Sequence, residues 1–248
     1  AARLRVLALT RRQLSLSLAL SPVLGLWPRV GHARAPRVLI VGDSLIVGGF
    51  GPALEAELEQ RYSFAVDRRG KVASGLARPD FYDWFEVGPE ARAEFLPDAV
   101  IVMFGGNDRQ GLYMGEGADP EWIRYGSEGW EPEYRRRINA FANAMTPAGE
   151  GLIWVGIPQM RSAKLCAHVA YVNRLVRAEL AIRPSARFVD VWTVLAEDGG
   201  FTEQLEIDGQ RERVRTGDGI HITRAGGRVL AEYVHPRVAS LLTRRKGG

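Results

Sequence analysis

The chain has 248 residues, enough for one good-sized domain and short for two. With 46% hydrophobic and 25% charged residues it has the composition of an ordinary globular protein, which excludes disorder as the default for its body. The net charge of +4 points to nucleic acid only until it is located: residues 1–35 hold six arginines and no acid, and the remainder carries 27 basic against 29 acidic residues, without the basic footprint of a nucleic-acid binder.

Residues 1–35 run from Arg3 and Arg5 through the apolar stretch Leu14 to Trp27, broken by Pro22, to Ala33-Arg34-Ala35. Charge, then apolar run, then a small-x-small site is the order of an export signal. The run is shorter than the roughly 20 residues that span a bilayer. Thr10-Arg11-Arg12-Gln13-Leu14 matches the twin-arginine pattern of bacterial proteins exported folded, which predicts a periplasmic location, or membrane attachment through residues 14–27 if the segment is uncleaved. The expected organisation is a signal or anchor over 1–35, one domain over 36–243 and a basic tail over 244–248.

Within the domain, Val38-Leu39-Ile40-Val41 predicts a short buried strand that stops at Gly42-Asp43-Ser44-Leu45. Phe50, Leu54, Leu58 and Tyr62 recur every four residues, as on one face of a helix. Ser63 to Asp67 predicts a second strand, and Asp80 is a natural cap for a helix beginning near Phe81. Ala99 to Phe104 reads as a central parallel strand that ends at Gly105-Gly106-Asn107-Asp108. The stretch 109–132, rich in glycine, aromatics and charge, has no clear period; it is expected to cover a substrate or to pack its aromatics on the body. A helix over 133–145, a strand over 151–156, a helix over 165–180 and a strand over 188–191 follow. Thr223 then caps a closing helix with Val229, Leu230, Tyr233, Val234, Val238 and Leu241 on its apolar face. Strand and helix alternate about five times, which predicts an α/β fold with one doubly wound, flavodoxin-like parallel sheet and ligands beyond the carboxyl ends of its strands.

A serine at such an end becomes a nucleophile when a base takes its proton and a third group holds the base. Of four histidines, His32 lies in the signal, His168 in a helical pattern and His235 late in the closing helix; His221 sits in a strand-end loop with Asp218 three residues before it. Each of these residues alone has a plainer reading, Ser44 as a helix cap, Asp218 as a turn residue and His221 as a satisfied loop histidine. The one cysteine, Cys166, excludes an intramolecular disulfide and cysteine-based zinc sites and reads as a small core residue. Gly42 to Gly48 lacks the G-x-G-x-x-G spacing of a dinucleotide binder.

Gly42-Asp43-Ser44-Leu45, Gly75, Gly105-Gly106-Asn107-Asp108 and Asp218-Gly219-Ile220-His221 together resemble the four blocks of the SGNH/GDSL hydrolase superfamily, in order and spacing. The stretches 74–81, 156–161 and 188–192 further resemble an exported bacterial branch whose domain has no assigned function. The resemblance implies a three-layer α/β/α fold and a serine esterase acting without metal or organic cofactor. It implies Ser44 as nucleophile, His221 as base and Asp218 as the group orienting His221. The implied oxyanion donors are the N–H groups of Ser44 and Gly75 and the Asn107 amide. Asp43 is expected to hold the turn. Arg78, Arg109, Gln110, Met160 and Arg161 flank these blocks and are weaker candidates for the pocket wall, solvated surface being the default for the arginines. The expected substrate is a small-molecule or carbohydrate acyl ester. Two other readings are an O-acyltransferase using the same acyl-enzyme and a non-catalytic envelope scaffold.

Overall fold

Residues Val38 to Val41 are wholly shielded from solvent, so both faces of their strand must be covered by other elements. The computed structural model describes residues 34–246; the export-signal reading lies almost entirely outside them. In chain order the elements are β1 (Arg37–Gly42), α1 (Ser44–Val47), α2 (Phe50–Tyr62), β2 (Ala65–Gly70), α3 (Trp84–Phe95) and β3 (Ala99–Met103). Then come β4 (Leu112–Tyr113), β5 (Trp122–Ile123), α4 (Trp130–Met145), β6 (Gly151–Val155), α5 (Ala163–Leu180) and β7 (Ala186–Val189). The last are β8 (Ala196–Glu197), β9 (Gly200–Phe201), β10 (Gln204–Ile207), β11 (Gln210–Arg213) and α6 (Arg224–Lys246).

The central sheet has five parallel strands in the order β2-β1-β3-β6-β7. Because side chains alternate along a strand, Val38, Ile40, Ala99 and Ile101 meet α2 and α6 on one face. Leu39, Val41, Val100 and Val102 meet α3, α4 and α5 on the other. The predicted three-layer, doubly wound sheet is the fold observed. Its interior strands β1, β3 and β6 are the continuous apolar runs, and the edge strand β2 is the polar one.

Strand order reverses between β1 and β3, the chain stepping outward to β2 and then back across to β3, which makes their carboxyl ends the switch point where a crevice opens. Gly42 pairs with Met103 in register, so Ser44 and Asn107 leave neighbouring strands at the same height. On the α2/α6 side the backbones touch directly. A Cβ on Gly49 would stand 2.2 Å from the Thr223 carbonyl oxygen, and one on Gly227 2.0 Å from the Gly49 carbonyl oxygen.

Several boundaries move. The cap of α3 is Asp83, whose side chain accepts from the Phe85 N–H, while Asp80 binds Arg78 instead. The last sheet strand begins at Ala186, and α6 continues through Arg244, Arg245 and Lys246. Thr223 caps α6 as expected, its Oγ accepting from the Gly226 N–H at 3.2 Å. Segment 109–132 contains the β4–β5 hairpin, and 196–213 forms two more hairpins that the sequence reading did not anticipate.

Candidate active site

Asp43 closes β1 and caps the short helix α1, its Oδ1 accepting from the Leu45 N–H at 2.9 Å. This turn presents Ser44, half-buried, just beyond the sheet. The Ser44 hydroxyl lies 2.9 Å from His221 Nε2, and His221 Nδ1 lies 2.6 Å from Asp218 Oδ2. Residues 177 apart in sequence thus stand in one line of hydrogen bonds.

The loop that carries the pair is tightly closed. Arg215 bridges Ile222, the Thr216 N–H reaches the His221 carbonyl at 2.9 Å, and Asp218 Oδ1 accepts from Thr216 Oγ and the N–H groups of Ile220 and His221. Partial desolvation pushes the Asp218 carboxyl up, but the bonds from His221, Thr216 and the two N–H groups outweigh it and hold it well below the usual carboxylate range. An ionised Asp218 only accepts, so the proton of a neutral His221 rests on Nδ1 and Nε2 offers its lone pair to the Ser44 O–H. This is the arrangement in which imidazole takes the proton of an attacking hydroxyl.

Beside the Asp43 turn, the Asn107 amide donates to the Ser74 carbonyl at 2.9 Å and, more weakly, to Asp43 Oδ2 at 3.4 Å. The adjoining Gly75 segment is held by Asp108, which is fully buried. Asp108 accepts from the N–H groups of Leu76 at 3.1 Å and Ala77 at 2.9 Å and from the Tyr134 hydroxyl at 2.6 Å. From the other side, Arg137 donates to the carbonyls of Leu76 at 2.7 Å and Ala77 at 3.0 Å and pairs with Glu133 at 2.8 Å. Asp43, by contrast, is desolvated enough to raise its carboxyl to about 7, the Leu45 N–H opposing this and the Asp108 charge adding to it.

The weaker candidates occupy other places. Gln110 donates to the Asn107 carbonyl at 2.7 Å and braces that block, and Arg109 stacks on Tyr125. Met160 is buried, its sulfur 3.2 Å from Arg215. Arg161 donates to the Gly217 carbonyl at 2.8 Å and to Glu203, supporting the Asp218 loop from outside. His168 sits under the end of β3, bonded to the Gly105 carbonyl and the Tyr125 hydroxyl at 2.9 Å each.

Sequence reasoning missed Arg137 and Arg215 and gave Asp108, though part of a motif block, no role of its own. Arg215 is fully buried, donates to the Gln159 carbonyl at 2.6 Å and lies over the Phe201 ring, while its Nε and Nη1 have no partner among the described residues. Burial lowers it to about 10, with the Asp218 charge acting the other way. Among the described residues one cluster has metal-ligand types, Glu57, Glu232 and His235, but Arg61 already pairs with both carboxylates and Tyr62 with the imidazole.

No curated protein matches this sequence. Among solved structures, an α/β hydrolase from the metagenome of Lake Arreo, Spain, superposes with a TM-score of 0.60 at 18% identity, over 84% of this chain and 98% of that one. A carbohydrate esterase of family 3 from Talaromyces cellulolyticus gives 0.57 at 16% identity, over 84% and 99%. A protein of Slackia heliotrinireducens proposed to be an SGNH hydrolase gives 0.53 at 20% identity, over 82% and 98%. The fold is that of the SGNH hydrolases, and since the family described as protein of unknown function (DUF459) matches residues 37–237, the chain belongs to that family.

Proposed function

We propose that the protein is a serine esterase that cleaves acyl esters, acetyl esters of an exported or envelope carbohydrate foremost, through an acyl-enzyme on Ser44. The observation that carries the reading is the hydrogen-bonded line Ser44–His221–Asp218. Ser44 Oγ attacks the acyl carbonyl carbon as His221 Nε2 takes the hydroxyl proton, and Asp218 stabilises the imidazolium. Negative charge on the carbonyl oxygen is to be met by the N–H groups of Ser44 and Gly75 and the amide of Asn107, the donors this reading assigns to the oxyanion. Collapse breaks the bond to the alcohol, which leaves with the proton from His221. Water then gives a proton to His221 and attacks the acyl carbon; collapse releases the acid and returns the proton to Ser44 Oγ.

The carbohydrate part of the reading is supported by the export pattern of residues 1–35 and by the likeness to a carbohydrate esterase. The test is labelling with a fluorophosphonate, followed by mapping of the modified residue and measurement of acetate released from acetylated glycans. Label on Ser44, absent in Ser44→Ala, together with acetate release, is the expected result. A folded protein that takes no label at Ser44 overturns the mechanism.

A further inference from the structure

The aromatics of segment 109–132 divide into two groups. Tyr125 and Trp130 pack inward on His168 and Tyr134 and complete the body. Tyr113 and Trp122, paired across the β4–β5 hairpin with ring centroids 4.9 Å apart, do not: Trp122 stays 42% exposed. Arg78 lies 4.9 Å from the Trp122 ring and is itself forked onto the Asp80 carboxylate. Tyr113 also forms part of the wall of an open cleft of about 470 Å³ that is lined in addition by Asp80, Asp83, Phe85 and Arg136.

We propose that this hairpin and cleft form a subsite for the neutral glycan chain of the substrate, next to the oxyanion segments. The proposal rests on the carbohydrate-ester reading of Ser44 and adds where the sugar is held. Location supports it first. The Tyr113 N–H donates to the Ala77 carbonyl at 3.0 Å, and Gln110, before β4, donates to the Asn107 carbonyl, so the hairpin is fastened to both segments that flank Ser44. Arg78 follows Gly75 by three residues, which places them no more than about 11 Å apart.

Chemistry supports it second. Exposed aromatic faces suit the C–H faces of sugar rings, and planar forks and carboxylates suit hydroxyl pairs. Arg78 pairs with Asp80 and Glu133 with both Arg136 and Arg137, while Asp83 is taken up by the Phe85 N–H, so three arginines meet three carboxylates and the cleft offers hydrogen bonds without a net charge for a phosphate or a charged peptide. The ligand of matching chemistry is polyhydroxylated and neutral.

The probes are neutral xylo-, cello- and chito-oligosaccharides, with polygalacturonate oligomers as the anionic comparison, titrated into full-chain Ser44→Ala by tryptophan fluorescence and protein NMR. A neutral oligosaccharide that perturbs Trp122, and whose affinity falls about tenfold in Trp122→Ala, is expected. With acetylated oligosaccharide and 4-nitrophenyl acetate as substrates, Trp122→Ala and Arg78→Gln are each expected to lower kcat/KM for the glycan about tenfold more than for the aryl ester. Binding of anionic oligomers only, no perturbation of Trp122 by any oligosaccharide, or equal losses on both substrates overturns the subsite. Binding is read without turnover, so an inert Ser44 with glycan on Trp122 refutes only the esterase reading. Turnover of the aryl ester without glycan binding refutes only the subsite.

Discussion

Asp108 fills the space that a side chain at position 75 would need: a Cβ on Gly75 would stand 2.2 Å from Asp108 Oδ1. The carboxylate reaches the backbone there and accepts the N–H groups of Leu76 and Ala77, fixing the segment whose Gly75 N–H is proposed as an oxyanion donor. Gly75→Ala and Asp108→Asn are both expected to lower kcat about 100-fold, the scale of a lost oxyanion donor. Thermal unfolding of each variant, run beside steady-state kinetics on an aryl ester, separates this from simple loss of fold.

In the resting state Asn107 donates to the Ser74 carbonyl and, at 3.4 Å, weakly to Asp43 Oδ2, and the N–H of that weaker bond is the one proposed to turn to the developing oxyanion. Asn107→Ala is expected to lower kcat by about 100- to 1000-fold while KM stays near its parent value, because that bond strengthens as charge develops. An effect confined to KM would remove Asn107 from this role.

Asp43 gives stability a pH dependence of defined sign. In the unfolded chain its carboxyl ionises near the ordinary value of 3.8, whereas in the fold desolvation raises it to about 7. Between these values the native state keeps a proton that the unfolded state has lost, so this group's contribution to stability falls as pH rises from about 4 to about 7 and is level above. Asp43→Asn retains an acceptor for the Leu45 N–H and removes the titration. Urea unfolding at pH 5 and pH 8 should show the parent losing stability relative to the variant, by up to about 4 kcal/mol across the full range.

Arg215 is a desolvated cation without a carboxylate in contact among the described residues, tying the Asp218 loop to Gln159. Replacing a buried charge with an apolar side chain of similar volume is often neutral or stabilising. Arg215→Met is therefore expected to unfold within about 1 kcal/mol of the parent yet to lose about tenfold in kcat, as the loop loses its tether and Asp218 a neighbouring positive charge. Urea titration and kinetics on the same preparation check both halves.

What was legible in the sequence follows the strength of local signals. The runs 38–41, 99–104 and 151–156 are buried on both faces and need continuous apolar residues, so the sheet and the positions of Ser44 and Asn107 were readable. Asp218 and His221 were readable because they share one short loop before a capped helix. The supports of the Gly75 segment were not, since Asp108 meets Leu76 and Ala77 across more than thirty residues and Arg137 lies farther still. Arg137 had one signal, Glu133 four residues earlier on the same helix, but that pair usually marks a solvated face. The hairpins at β8–β9 and β10–β11 did announce themselves: Asp198-Gly199 and Asp208-Gly209 are the dipeptides of two-residue turns, and all four residues have positive φ. The strands they join are only two and four residues long, too short to show a period of two.

The backbone contacts of Gly49 with Thr223 and Gly227 act as a machinist's stop for the chemistry. They set hydroxyl and imidazole at working distance by seating peptide on peptide, with no adjustable side chain between the parts that bear Ser44 and His221. Substitutions deep in the α2/α6 core therefore shift the melting temperature more than the rate of a turnover. A single methyl group at position 49 or 227 has only backbone to push against, and is expected to part the two halves of the catalytic line as well as to cost stability.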